Sequence, residues 1–335
     1  MTTIESIAYA FPARCLTNQE LKQTYPDWDF ERLEKRAGVF TRHVAAETET
    51  ALDLAVRACE QLAQQDRLHA DEIDALIFCT QSPDHIMPPN SCILHGALEL
   101  NPNVLAFDIT LACSGYIYGL QLADSLIRSG VAERVLLATA DTYTRYIHPG
   151  DRATRSLFGD GGAVSIIVES QNARGIRDIR CGTAGTQYKK FIIPAGGMRM
   201  PRSASSARET IDHSGNVRTE EHIKMDGLGV LSFFNATVPC SVKETLTQNG
   251  LSIDEVDLFV FHQASQVVLD TLRTAMGIPP GKMVYDLAEV GNLVSASIPV
   301  ALSRAFERGQ AKPGQLALLC GFGVGLSWGT ALVDL

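Results

Sequence analysis

An α/β protein made of two copies of one unit is the architecture this sequence predicts. Two observations carry that expectation. Segments with helical periodicity alternate with short, strongly apolar segments, and strands of that kind belong to sheets covered on both faces. One half of the chain also echoes the other: Asp71-Glu72-Ile73-Asp74-Ala75-Leu76-Ile77-Phe78-Cys79-Thr80-Gln81-Ser82 resembles Asp254-Glu255-Val256-Asp257-Leu258-Phe259-Val260-Phe261-His262-Gln263-Ala264-Ser265. The echo continues from Phe107-Asp108-Ile109 to Tyr285-Asp286-Leu287. Each is followed by a helix-like stretch closing at a glycine, Gly130 or Gly309, and then by an apolar strand at 134–138 or 315–319. Self-similarity on this scale reads as a duplication, with halves at 1–172 and 173–335.

The elements follow in order. Residues 50–66 place Leu52, Ala55, Val56, Cys59 and Leu62 on one face, an amphipathic helix, and the strand at 74–79 comes next. An apolar run through Phe107-Asp108-Ile109-Thr110-Leu111 breaks into Ala112-Cys113-Ser114-Gly115 and then a helical pattern. In the second half a helix at 240–250 precedes a strand at 257–261. The serine- and arginine-rich stretch 201–222 is expected as an exposed loop between the halves.

Composition narrows the class. With 335 residues, 45% apolar and 20% charged, the chain is an ordinary globular protein. A net charge of -9 without a dense Lys/Arg cluster argues against a nucleic-acid partner. No uninterrupted apolar run is long enough to span a membrane and the N-terminus has no leader pattern, so a cytoplasmic, membrane-free protein is expected. The eight cysteines include no C-x-x-C pair, which signals neither a metal site nor a disulfide framework.

Three residues stand out. Cys113 falls at the start of a helix, where backbone N–H groups and the helix dipole are expected to lower a thiol's pKa and favour the nucleophilic thiolate. His262 ends an apolar strand, and Asn292 follows Gly291 at the start of another helix. All three lie where strands give way to helices, the place where sites gather in open α/β sheets. A thiol, an imidazole and an amide are the minimum for making and using a thioester.

The sequence resembles the β-ketoacyl-acyl carrier protein synthase III group of the thiolase superfamily over nearly its whole length. The matching stretches are Arg36-Ala37-Gly38-Val39, Ala112-Cys113-Ser114-Gly115, Phe158-Gly159-Asp160-Gly161-Gly162-Ala163, His262-Gln263-Ala264, Gly291-Asn292 with Ser295-Ala296-Ser297-Ile298-Pro299, and Ser327-Trp328-Gly329. The resemblance implies a thiolase-like, duplicated, five-layered αβαβα fold with two five-stranded sheets, usually a homodimer. It implies an acyltransferase without metal or cofactor, whose substrates are a coenzyme A thioester and a malonyl thioester, with acyl carrier protein as a further partner. Cys113 would carry the acyl group. His262 and Asn292 would donate to the enolate formed on decarboxylation. The N–H of Cys113 and one from the Gly323-Val324-Gly325 turn, Val324 or Gly325, would hold the tetrahedral oxyanion.

By the same resemblance Arg36 and Arg152 fall where the family meets the nucleotide end of coenzyme A. Arg32 occupies the place of an adenine-stacking tryptophan, with Trp28 one turn earlier. Met87 matches the position from which one subunit reaches the partner's acyl pocket. The glycines of 158–162 lack the spacing of a dinucleotide fingerprint and read as structural. Departures point to a specialised member, of secondary metabolism or of sugar or polyketide modification, rather than the initiator of ordinary fatty-acid synthesis. Ser265 and Val267 replace an asparagine and a carrier-docking arginine, and Val324 replaces a glycine. Three other readings stay open at this level: acyl transfer to a hydroxyl or amine with His262 as general base, a non-catalytic partner subunit, and, weakest, a cysteine protease.

Overall fold

The computed structural model describes residues 1–171 and 174–335, so the expected boundary between 172 and 173 lies outside the described residues. The first sheet contains β1 (Thr2–Ala10), β2 (Ala75–Cys79), β3 (Leu105–Ile109), β4 (Arg134–Asp141) and β5 (Gly161–Glu169), in the spatial order β1-β5-β4-β2-β3. β2 pairs parallel with both β3 and β4, and β5 runs antiparallel to β4 and β1. The second sheet contains β6 (Ile176–Thr183), β7 (Leu258–Phe261), β8 (Leu316–Gly323) and β9 (Ser327–Asp334), in the order β7-β8-β9-β6. Its directions repeat those of the first: β7 parallel to β8, β9 antiparallel to β8 and β6.

Among the described residues the second sheet has four strands where five were expected. The counterpart of β3 is reduced to a parallel bridge between Met283 and Phe259, extended by the Val284 N–H donating to the Phe259 carbonyl (3.0 Å). Asp286 then leaves the ladder to accept from Arg304 and Arg308.

Six helices complete the layers. On the outside of the first sheet, α1 (Ala51–Gln64) covers β1, β4 and β5, and α2 (Asn90–Ala97) covers β2 and β3. α1 starts at a capping box in which Thr50 and Asp53 satisfy each other's backbone N–H groups, and it buries Leu54, Ala55, Ala58 and Leu62 along one stripe. Between the sheets lie α3 (Gly115–Arg128) and α6 (Ser297–Glu307). α3 packs on β2, β4 and β5 on one side and on β6, β8 and β9 on the other, and α6 likewise touches β1, β5, β7 and β8. A helix sandwiched in this way must be apolar nearly all round, and α3 buries Tyr116, Ile117, Leu120, Ala123 and Ile127. Outside the second sheet, α4 (Gly227–Gln248) covers β6, β8 and β9, and α5 (Gln266–Met276) packs on α4. The result is the five-layered αβαβα, thiolase-like arrangement.

Two local expectations change. The helix expected at 240–250 begins at Gly227: Asp226 caps it by accepting from the Gly229 N–H (3.0 Å), and it runs on through Pro239, a residue that ordinarily interrupts a helix. The segment 201–222 lies within the second half and is only partly exposed. It forms a small hairpin, Thr210–Ile211 against Val217–Arg218, and buries Ser206, Asn216 and Thr219. Arg218 ties it down with two bonds to the buried Asp151 (2.6 and 3.2 Å), so charge pairing gives order to a stretch with little apolar content.

Candidate active site

Cys113 sits between the end of β3 and the start of α3, buried in a cluster with Ala112, Tyr143, Phe158, Phe322 and Leu326. Gly323, the last residue of β8, faces it from the other half. A Cβ there would lie 2.5 Å from the Cys113 Cβ and 2.8 Å from its Sγ, so only glycine allows this approach. The strand then turns, and the N–H groups of Val324 and of Cys113 itself face the sulfur and favour its thiolate. Gly325 lies one residue further along, at φ 141°, where the chain reverses into β9. A chain of hydroxyls fixes the turn: Ser327 donates to the Val324 carbonyl (2.8 Å), which leaves Ser114 to donate to Ser327 (2.8 Å).

The expected depression of the Cys113 thiol is not found. Burial pushes it up and the nearby Asp141 carboxylate adds to that, while the two N–H groups pull the other way without overcoming the desolvation. Removal from water outweighs a helix terminus here. Burial thus favours the neutral thiol of Cys113 over its thiolate.

His262 follows β7 directly. Its N–H donates to the Cys320 carbonyl (2.7 Å), which registers it against β8, and its ring meets Phe322 edge-on at 5.7 Å. Burial pulls the imidazole down to about 3, so it is neutral at physiological pH. Its Nδ1 is buried and without a hydrogen-bond partner in the structure. Gln263 braces the strand end: its amide donates to the carbonyls of Phe261 (2.7 Å) and Val284 (3.3 Å) and accepts from the Asp286 N–H (2.7 Å).

Asn292 is held through its backbone by the glycine turn of the first half. Its N–H donates to the Leu157 carbonyl (2.9 Å), and the Gly159 N–H donates to its carbonyl (3.1 Å). The turn needs Gly291, at φ 72°, where a Cβ would stand 2.8 Å from the Leu157 oxygen. The Asn292 Oδ1 accepts from the Val294 N–H (2.9 Å), and its Nδ2 reaches the Ala264 carbonyl only at 3.4 Å. Through Ala264 it is joined to the His262 segment. The three residues therefore share one buried region: Gly323 and Phe322 connect Cys113 to His262, and Ala264 connects His262 to Asn292.

The expected substrate-binding residues lie outside that region. Arg32 and Arg36 are exposed on the helix Phe30–Ala37, which docks at the start of α5 through Gly38 and Gln266. Trp28 precedes that helix rather than sharing it, and one face is taken by Tyr25, stacked at 4.2 Å. The Arg152 guanidinium donates to the Ser214 carbonyl of the hairpin. Met87 is 79% exposed in the loop before α2. Among the described residues no group of His, Cys, Asp and Glu is arranged to hold a metal ion, and no helix is long and apolar enough to cross a membrane.

Residues 107–185 match the family model for 3-oxoacyl-[acyl-carrier-protein] synthase III, and residues 246–335 match the model for that family's C-terminal part. Beta-ketoacyl-[acyl-carrier-protein] synthase III 3 of Streptomyces coelicolor is 37% identical over 332 residues, 98% of this chain and 96% of that protein. The chain belongs to the β-ketoacyl-acyl carrier protein synthase III family. It is an acyl-transferring condensing enzyme of that type. A crystal structure of a 3-oxoacyl-(acyl-carrier-protein) synthase III superposes with a TM-score of 0.97 at 42% identity, covering 100% of this chain and 99% of that one. The synthase from Burkholderia xenovorans LB400 does so with a TM-score of 0.92 at 32% identity, covering 100% and 94%.

Ser327, Gly323 and Gln263 fall in stretches that carry the family resemblance, but their contacts do not follow from any local pattern: Ser327 holds the Val324 carbonyl, Gly323 makes room for Cys113 and Gln263 braces the end of β7. Asp141 did leave a signal, as a charged residue at the end of the largely apolar strand Arg134–Asp141. Tyr143 is buried beside Cys113, its hydroxyl donating to Gln81 (2.9 Å).

Proposed function

We propose that the two halves divide a decarboxylative condensation between them, the first supplying the nucleophile and the second the enolate binding. The Cys113 sulfur attacks the carbonyl of an acyl-coenzyme A. The thiol's proton leaves with the departing coenzyme A thiol, and a thioester remains on the protein. The N–H groups of Cys113 and Val324 hold the oxyanion of each tetrahedral intermediate. A malonyl thioester, carried by coenzyme A or acyl carrier protein, then loses carbon dioxide. Neutral His262 and the Asn292 Nδ2 donate to the enolate oxygen, and the carbanion attacks the acyl group to give a 3-oxoacyl thioester and free Cys113.

The observation that carries this reading is the pairing of two buried polar groups: His262 follows β7 with its ring removed from water, and Asn292, joined to that segment through Ala264, has its Oδ1 taken by the Val294 N–H, which leaves Nδ2 to donate. Burial that disfavours the imidazolium makes His262 a poor general base and a neutral donor, the combination an enolate needs. Arg36, Arg32 and Arg152 are the guanidinium groups near the surface that would meet the phosphates of coenzyme A, with Trp28 beside them.

A homodimer belongs to the same reading. β3 is an edge strand with Leu105 exposed, and Ile86 and Met87 stand out in the adjoining loop, an apolar border that a second copy would cover. A cytoplasmic setting suits the eight free cysteines. Ser265 and Val267 support a specialised member whose carrier docking differs from the housekeeping pattern.

The test is intact-protein mass spectrometry with a panel of acyl-coenzyme A thioesters, followed by a malonyl thioester. A Cys113-dependent adduct that clears as carbon dioxide and a 3-oxoacyl product appear is expected. An adduct that ignores the malonyl thioester and passes to an alcohol or amine would contradict condensation.

A further inference from the structure

The most deeply buried charge near Cys113 belongs to a residue the proposed chemistry does not use. Asp141 ends β4, is fully buried, and sits near enough to Cys113 to push the thiol up. Its Oδ1 accepts from the Gln81 N–H (2.9 Å) and the Thr80 (3.2 Å) and Ser82 (3.4 Å) hydroxyls. Its Oδ2 accepts from the Ser295 hydroxyl (2.5 Å) and N–H (3.3 Å). All five donors are neutral, and burial holds the carboxyl up at about 6 despite them. An ionised carboxylate is costly to bury unless its lone pairs are filled. These lone pairs are filled from both halves, the first three donors coming from the end of β2 and the last two from the turn after Asn292.

That turn is under strain. Val294 has φ 55°, a region a β-branched residue enters only when its surroundings force it. The forced conformation has a consequence for Asn292, because the Val294 N–H is what occupies the Asn292 Oδ1. With Oδ1 taken, the amide orientation is fixed and Nδ2, with its one long bond to Ala264, is left to donate. The residue next to Val294 is Ser295, which Asp141 grips by both side chain and backbone.

We propose that Asp141 is a positioning residue for the condensation step, clamping the Asn292 turn of the second half to the Cys113 half through Ser295. It touches no reacting atom. The proposal rests on the reading of Asn292 given above, and its effect should fall on enolate formation rather than on acyl loading.

The test compares the full-length wild type with Asp141→Asn, Ser295→Ala and the double variant, measuring three quantities. They are Cys113 acylation by acyl-coenzyme A, carbon dioxide release from a malonyl thioester, and amide hydrogen exchange of peptides covering 291–296. For Asp141→Asn, carbon dioxide release falls about 10- to 100-fold, the cost of a small misplacement of a site group, while acylation stays within about threefold. Iodoacetamide labels Cys113 faster, because a nearby negative charge has gone. Ser295→Ala gives the same split in weaker form, and the double variant is no worse than Asp141→Asn, as expected of two members of one interaction. Exchange at 291–296 rises in every variant.

Equal loss of acylation and carbon dioxide release would overturn the proposal, as would unchanged release in Asp141→Asn. If Asp141→Asn does not fold, Ser295→Ala decides by the same split. If the wild type itself releases no carbon dioxide, the condensation reading is what fails. The exchange data then decide the clamp alone: faster exchange at 291–296 supports it, and unchanged exchange overturns it.

Discussion

The two halves follow one plan and put different residues at its decisive points. Each has an eight-residue central strand, β4 from Arg134 to Asp141 and β8 from Leu316 to Gly323. Each pairs that strand parallel to a short buried strand and antiparallel to a long one. The last residue of each central strand crosses to the other half: Gly323 packs on Cys113, and Asp141 binds Ser295. At that position one half offers the absence of a side chain and the other a carboxylate. The short strands differ in the same way, β2 ending on Cys79, whose thiol donates to the Leu111 carbonyl (3.2 Å), and β7 leading into His262. The two halves thus share one backbone frame, and single residues at their strand ends separate the half that holds the Cys113 thiol from the half that holds the His262 imidazole and the Asn292 amide.

The strongest way to break this comparison is to remove a residue from one half and look for the loss in the wrong step. Cys113→Ala should abolish acyl loading and cut condensation by about 10⁴-fold or more, the scale seen when a nucleophile that acts as part of a unit is deleted. His262→Ala and Asn292→Ala should each reduce carbon dioxide release by about 10²–10³-fold, the usual cost of losing one oxyanion donor, with acyl loading much less affected. Steady-state release and mass-spectrometric loading, measured on the same samples, check both.

Gly323→Ala sharpens the comparison from the other direction. A methyl placed 2.5 Å from the Cys113 Cβ acts across the boundary between halves, so a change in the second half should damage loading in the first. Thermal or denaturant unfolding should also show a stability loss of about 1–3 kcal/mol from overpacking. Ser327→Ala is the milder version. It leaves the Val324 carbonyl and the Ser114 hydroxyl without their partner, a cost of about 1–3 kcal/mol when the groups are buried, and it loosens the Val324 N–H.

The smallest predicted effect concerns pH. Since the Cys113 thiol lies above its ordinary value, labelling by iodoacetamide should be slow at neutral pH. It should climb about tenfold per unit without levelling off near the usual thiol range. A plateau below pH 8 would show that the N–H groups outweigh burial after all.

The repeated strand order and the place of Cys113, His262 and Asn292 at the ends of strands and starts of helices were legible because each rests on a local pattern: an apolar run, a glycine at a helix end, a polar side chain at a junction. What was not legible depends on distance. The fifth strand of the second sheet is reduced to a bridge at Met283, and Asp286 beyond it pairs with Arg304 and Arg308, contacts that no local pattern shows. The helix starts at Gly227, well before the expected 240, because it packs along the second sheet and runs on through Pro239, where tertiary packing overrides propensity. The direction of the Cys113 shift was misread for the same reason. A helix N-terminus is visible in a sequence, whereas the depth of burial and the neighbouring Asp141 arise only once β3, β4 and β8 converge.

If acyl loading belongs to the first half and enolate binding to the second, a pulse–chase on Asn292→Ala separates the two steps. The variant is loaded with acyl-coenzyme A, chased with a malonyl thioester, and the occupancy of Cys113 is followed by intact mass. The account predicts near-complete loading at close to the wild-type rate and an adduct that persists through the chase. Failure to load, or clearance at the wild-type rate, would contradict it.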